Sequence, residues 1–273
     1  MTGRELPPTS AFAGDDGSAD PGLAAVLADH AEGRAGVPEV VAALAGTRVL
    51  VPVLAEAEAT EVVHGHTVDR EASAGIVALQ APDGRTALPV FSSVAAMTAW
   101  RADARPVPSE IARAALSAVE EGWELLVLDP GGPVTVLVPR PAVWALAQQT
   151  DWAPAVTGTG AERTVAADVR DAVQEAITAV LAVGESAESE QPAAPRRRWW
   201  QRERTPAPAA VAPPAVREVV VAPGDRAELS VELHLVPGLD RGTVDTLVRA
   251  VGAALAGSES VTRRVDSVQV RLR

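Results

Sequence analysis

Four groups of residues in this chain have types and spacing that could do chemistry. His64-Gly65-His66, with Glu61, Asp69 and Glu71 close by, brings imidazoles and carboxylates within a few positions of one another. Ligands two or three residues apart on a strand can share one face, which is what a metal site needs. Gly65 loosens the segment and no third histidine lies near it. His64, His66 and Asp69 are therefore weak candidates in what reads as a solvated loop.

Ser92 and Ser93 are the second group, because a serine nucleophile needs an adjacent histidine and an orienting acid. No G-x-S-x-G elbow surrounds them, and a serine ahead of a helical pattern is better explained as an N-cap. Gly131-Gly132 is the third. It resembles a phosphate loop only superficially, since there is no G-x-x-x-x-G-K-[ST], no lysine anywhere in the chain, and a strand follows. The expectation is no catalytic residue, no cofactor and no metal.

The fourth group is Arg196, Arg197, Arg198, Trp199, Trp200, Arg202 and Arg204, five arginines and two tryptophans within nine residues. Guanidinium groups engage phosphates, and indoles stack on bases or enter a lipid interface. These residues form a candidate polyanion-binding cluster, for nucleic acid or anionic lipid. The simpler reading is a solubilising linker, or tryptophans packed on the protein's own acidic surface.

Composition restricts the remaining possibilities. The 273 residues carry a formal net charge of −12, which opposes general attraction to nucleic acid or anionic membranes. There is no cysteine, so disulfides, thiol catalysis and thiolate metal sites are excluded. Apolar residues make up 47% but aromatics only 3%, so the cores must be built from small aliphatic side chains. No apolar run reaches the length of a membrane span, and the polar N-terminus lacks a hydrophobic signal region. A cytoplasmic protein is the expectation.

The elements that must position these groups follow from periodicity and turn chemistry. A tail expected to be disordered covers 1–20. Two short helices follow, the first carrying Leu23, Val26 and Leu27 and the second Val40, Val41 and Leu44, before a buried strand from Val49 to Leu54. Strands at Gly75–Gln80 and Ala87–Phe91 meet across Asp83-Gly84, and Ser92 or Ser93 caps a helix ending near Trp100. Pro106 and Pro108 interrupt the chain, Ser109 caps the next helix, and Gly122 ends it. Leu125–Leu128 and Val134–Val138 form a hairpin through Asp129-Pro130-Gly131-Gly132-Pro133, and a helix from Pro141 to Gln149 covers the sheet. Trp100, Trp123, Trp144 and Trp152 are expected in the core or at its rim.

Glu162–Leu181 has the period of an amphipathic helix, able to dock on the first domain or on another chain. A proline- and alanine-rich linker begins at Gly184. The C-terminal end alternates perfectly over Glu228–Leu235, continues into a helix carrying Val244, Leu247, Val251 and Leu255 and closed by Gly257, and ends in a strand over Val265–Leu272. The expected organisation is a tail at 1–20, a first domain at 21–156, a helix at 157–183, a linker at 184–217 and a small β-α-β module at 218–273. The fold class is α+β, a mixed β-sheet with covering helices. So small a module is expected to dock on the first domain or on a second copy.

Taken together, the VLVPV strand at Val49–Val53, HGHTVDREAS at His64–Ser73, LPVFSS at Leu88–Ser93, Trp100, RPVP at Arg105–Pro108 and LLVLDPGGP at Leu125–Pro133 resemble the SseB N-terminal domain family of enhanced-serine-sensitivity proteins, in its actinobacterial type. The resemblance spans about half the chain, roughly residues 22–150. One departure, Phe91-Ser92-Ser93 where F-T-S is expected, keeps a capping hydroxyl. The resemblance implies an α/β-type domain with no catalytic residues to carry over. It also implies an interaction or regulatory role, and because the chain is rich in fold signals and empty of chemical ones, the expectation is a non-enzymatic protein with a protein partner or self-association.

Overall fold

The structure is a computed structural model that describes residue 12 and residues 14–54, 77–81, 83–158, 160–189 and 215–273. The chain divides into two units, 1–153 and 154–273.

Unit 1 opens with α1 (Pro21–Ala31) and α2 (Val37–Leu44), each with a proline in its first turn, where the missing N–H costs nothing. Next come β1 (Arg48–Val53), β2 (Leu79–Gln80), β3 (Thr86–Val90), α3 (Val94–Trp100), β4 (Arg105–Glu110) and α4 (Ile111–Glu120). The unit closes with β5 (Leu125–Leu128), β6 (Val136–Val138) and α5 (Arg140–Gln148). The sheet runs β2-β3-β5-β6, antiparallel at both outer pairs and parallel where β3 meets β5. Ala87 faces Leu125 and Val90 faces Leu128, so the two parallel strands end side by side.

A separate antiparallel ribbon of β1 and β4 joins the end of β3 through reciprocal Leu50–Phe91 backbone bonds of 2.9 Å. The main core combines Leu23, Leu44, Val90, Ile111, Leu126 and Leu146. A smaller cluster holds Leu50, Phe91 and Met97, with the Trp100 ring 5.2 Å from that of Phe91.

The structure corrects three expectations in this unit. Pro106 and Pro108 lie inside β4, opposite Pro52 and Leu50. A two-stranded ribbon has an outer edge where a missing N–H breaks no ladder bond. Ser109 is extended in β4 and caps nothing. Helix α4 starts after Glu110, and its first N–H, on Ile111, donates instead to the Thr47 carbonyl at 3.0 Å. Residues 14–20, expected within a disordered tail, are tied down: the Val94 N–H donates to the Gly17 carbonyl, and Asp15 pairs with Arg48.

Unit 2 contains β7 (Val156–Thr157), a 3-10 turn (Gly160–Glu162), β8 (Thr164–Val165) and α6 (Ala167–Ser189). After these come β9 (Val216–Pro223), β10 (Leu229–Leu235), α7 (Arg241–Gly257), α8 (Glu259–Arg264) and β11 (Val268–Leu272). Its main sheet runs β11-β10-β9, with β10 parallel to β11 and antiparallel to β9. The expected β-α-β module therefore gains a third strand, and the final strand starts at Val268 because Glu259–Arg264 form α8.

Helix α6 is displaced from its expected span. Thr164-Val165 pair with Val156-Thr157, and the Ala166 N–H donates to the Ala155 carbonyl at 2.9 Å, so helix begins only at Ala167. Two β-branched residues, with Gly158 and Gly160 at φ 83° and 55°, favour the small hairpin over an earlier helix start. The helix then continues past Gly184 to Ser189, since the alanines and glutamates there outweigh a single glycine costing about 1 kcal/mol. The cover expected from the first domain or a second copy is provided by α6 itself. Val169, Val173 and Ile177 share one core with Leu229, Val231 and Val251.

Candidate functional site

His64, His66 and Asp69 lie outside the described residues, as do Arg196, Arg197, Arg198, Trp199, Trp200, Arg202 and Arg204. Among the described residues no group of three or more His, Asp or Glu side chains could hold a metal ion. Ser93 is a helix cap: its Oγ accepts from the Ala96 N–H at 3.1 Å. Gly131, at φ 71°, and Gly132, whose N–H donates to the Asp129 carbonyl at 3.1 Å, belong to the turn between β5 and β6.

Ser92 has a different role from Ser93, one that sequence reasoning missed. Its N–H donates to Asp129 Oδ1 at 2.8 Å and its hydroxyl to Asp129 Oδ2 at 2.7 Å. Both residues are buried, at 5% and 7% exposure, and Asp129 holds φ 49°. Asp tolerates that left-handed backbone better than most residues. The Ser92 carbonyl accepts from Arg48 Nη1 at 3.0 Å, and Arg48 Nη2 donates to Asp15 at 2.7 Å and to the Ser18 carbonyl at 2.5 Å. A polar chain thus runs from Asp15 through Arg48 and Ser92 to Asp129.

Strand pairing accounts for the meeting of Ser92 and Asp129. Ser92 lies two residues after β3 and Asp129 one after β5, and the parallel register carries both to the same end of the sheet. Carboxyl ends of parallel strands are where open α/β sheets commonly bind ligands. Here Ser92 engages both carboxylate oxygens. Burial pushes the Asp129 carboxyl above its ordinary value, and the two bonds from Ser92 oppose that rise. The arrangement holds two strand ends and the tail together, which is structural work. The sequence signal was LPVFSS and LDPGGP, each a strand followed by a polar residue.

Unit 2 contains a groove of about 1560 Å³ bounded by α6, α7 and the turn from Val236 to Asp240. Ala176, Ala179 and Leu181 form one wall, Leu247, Ala250 and Ala254 the other, and Ala215 lies where β9 begins. Short side chains keep the walls low. Among the described residues, those with charge on its lining are Glu175 and Asp240, both acidic. Asp240 caps α7 by accepting from the Thr243 N–H and hydroxyl, which holds its carboxyl below the ordinary range. Such a groove suits an apolar occupant with a positive flank.

These features define an α+β protein of two units, the first with a buried serine–aspartate tie at its parallel strand ends and the second with an open apolar groove. Residues 23–145 match the family model for the SseB protein N-terminal domain, and that segment of the chain belongs to the family. No curated protein and no solved structure matches the chain.

Proposed function

We propose that the protein is a non-enzymatic interaction or regulatory protein of the cytoplasm, built on its SseB N-terminal domain. What supports this is the use made of the best chemical candidates in the family segment. The Ser92 hydroxyl is spent on Asp129, and the Ser93 hydroxyl on the first turn of α3. No helix among the described residues is long and apolar enough to cross a membrane.

Affinity purification of the full chain at low salt, with and without nuclease, tests the reading. It expects a stoichiometric protein partner, or a second copy, that survives nuclease. A substrate turned over by the purified chain and no longer turned over by the Ser92→Ala variant would overturn it. A second reading, polyanion binding through Arg196–Arg204, is motivated by five arginines gathered in nine residues of an acidic chain. It expects salt-sensitive capture of nucleic acid or anionic vesicles that disappears when those five arginines become glutamine.

A further inference from the structure

We infer that Trp199 and Trp200 occupy the apolar groove between α6 and α7 of their own chain. The inference is independent of the interaction reading. Its first support is chain continuity. The 25 residues 190–214 leave from the end of α6, whose Ala179, Val180 and Leu181 line the groove, and rejoin the described chain at Ala215, which also lines it. A segment tethered beside a groove at both ends meets it at an effective concentration on the order of millimolar, so modest contacts suffice.

Reach is no obstacle. From Leu181 to Ser189 the helix advances only about 12 Å. The fourteen residues between Trp200 and Ala215 can span up to about 50 Å when extended. The pair can therefore turn back to the groove from either side.

Chemistry gives the second support. Trp199 and Trp200 are the only aromatic residues in 190–214, and large amphipathic rings suit a cleft with short alanine walls. Arg198 precedes them and Arg202 follows, while the charged residues on the lining are Glu175 and Asp240. Cationic flanks around an apolar pair thus meet an acidic rim around an apolar floor. Thr246 adds a hydroxyl on the lining that an indole N–H can reach.

The absence of native cysteine allows a direct test in the full chain. A Q201C/T246C double variant, oxidised mildly, is expected to form an intramolecular disulfide at a rate independent of protein concentration. Adding W199A/W200A should slow it about tenfold, and moving the second cysteine to the turn after β9 as Asp225→Cys should do the same. Equal rates with and without the tryptophans would overturn the inference, as would equal rates at Asp225. Disulfides that form only between chains would also overturn it, placing a second copy in the groove.

Discussion

At the ends of β3 and β5 a buried carboxylate has both oxygens bonded by Ser92, whereas in unit 2 the paired positions Ser230 and Gln269 on β10 and β11 bury atoms that find no partner among the described residues. Both cores are largely valine, leucine and alanine. At these two sheets the difference lies in how polar groups are used, although Trp152 Nε1 of unit 1 is also buried without a partner among the described residues. In unit 1 a bonded network ties the tail, β1, β3 and β5 together. In unit 2 apolar packing does most of the holding, and the same small side chains leave a groove open between α6 and α7. A polar tie adds definition only when every member is satisfied, and small aliphatic residues cover a sheet without filling the space beside it.

The comparison breaks most visibly at Asp129. Asp129→Ala strips the partners from the Ser92 N–H and hydroxyl and puts alanine at positive φ, so unit 1 should lose about 3 kcal/mol of stability. Urea unfolding followed by tryptophan fluorescence in a W199F/W200F background checks this, since the four remaining tryptophans, Trp100, Trp123, Trp144 and Trp152, all belong to unit 1. Arg48→Ala comes next, at about 2 kcal/mol, because it leaves the Ser92 carbonyl and Asp15 without their guanidinium. The same titration would show a smaller shift if the tail contact were only superficial.

Unit 2 should respond in the opposite direction. Ser230→Ala removes a buried hydroxyl that bonds nothing among the described residues, so stability should be unchanged or rise by up to about 1 kcal/mol, read by circular dichroism on heating. A loss above that size would mean that Ser230 holds a structural water.

The smallest effect is on pH dependence. Burial raises the carboxyls of Asp129 and Glu228, so each folded form holds its proton to a higher pH than the unfolded chain does. Their contribution is fully present below the unfolded value and is lost as pH rises through the folded one. Asp129→Asn should therefore flatten the fall in unit 1 stability just above the ordinary carboxylate range, and Glu228→Gln should do the same for unit 2. Unchanged slopes would show that both carboxyls titrate normally.

Much of the fold was legible because its signals are local. The alternation from Glu228 to Leu235, the glycine ending α4 and the stripe in α2 each act within one element. The Ser92–Asp129 tie was not, since it joins residues 37 apart through a parallel pairing that no local period encodes. Ser92 and Ser93 look equivalent in sequence, and only the register separates the tie from the cap. Helix α6 was displaced by the β7–β8 hairpin, a tertiary preference that overrode helical spacing at Val165. Trp144, expected in the core or at its rim, is 47% exposed on α5, because the neighbouring Val143 and the Pro141, Ala145 and Leu146 face already fill the core side. The groove draws on residues from Ala172 to Ser260, so no single stretch could announce it.

The claim that the two units differ in this way, one tied by a polar network and the other leaving an apolar groove proposed to take Trp199 and Trp200, is tested most directly by hydrogen exchange on the full chain and its W199A/W200A variant. The account predicts faster exchange in peptides covering Ala172–Leu181 and Val236–Ala254, with unit 1 unchanged. Identical exchange across those groove peptides in the two proteins would contradict it.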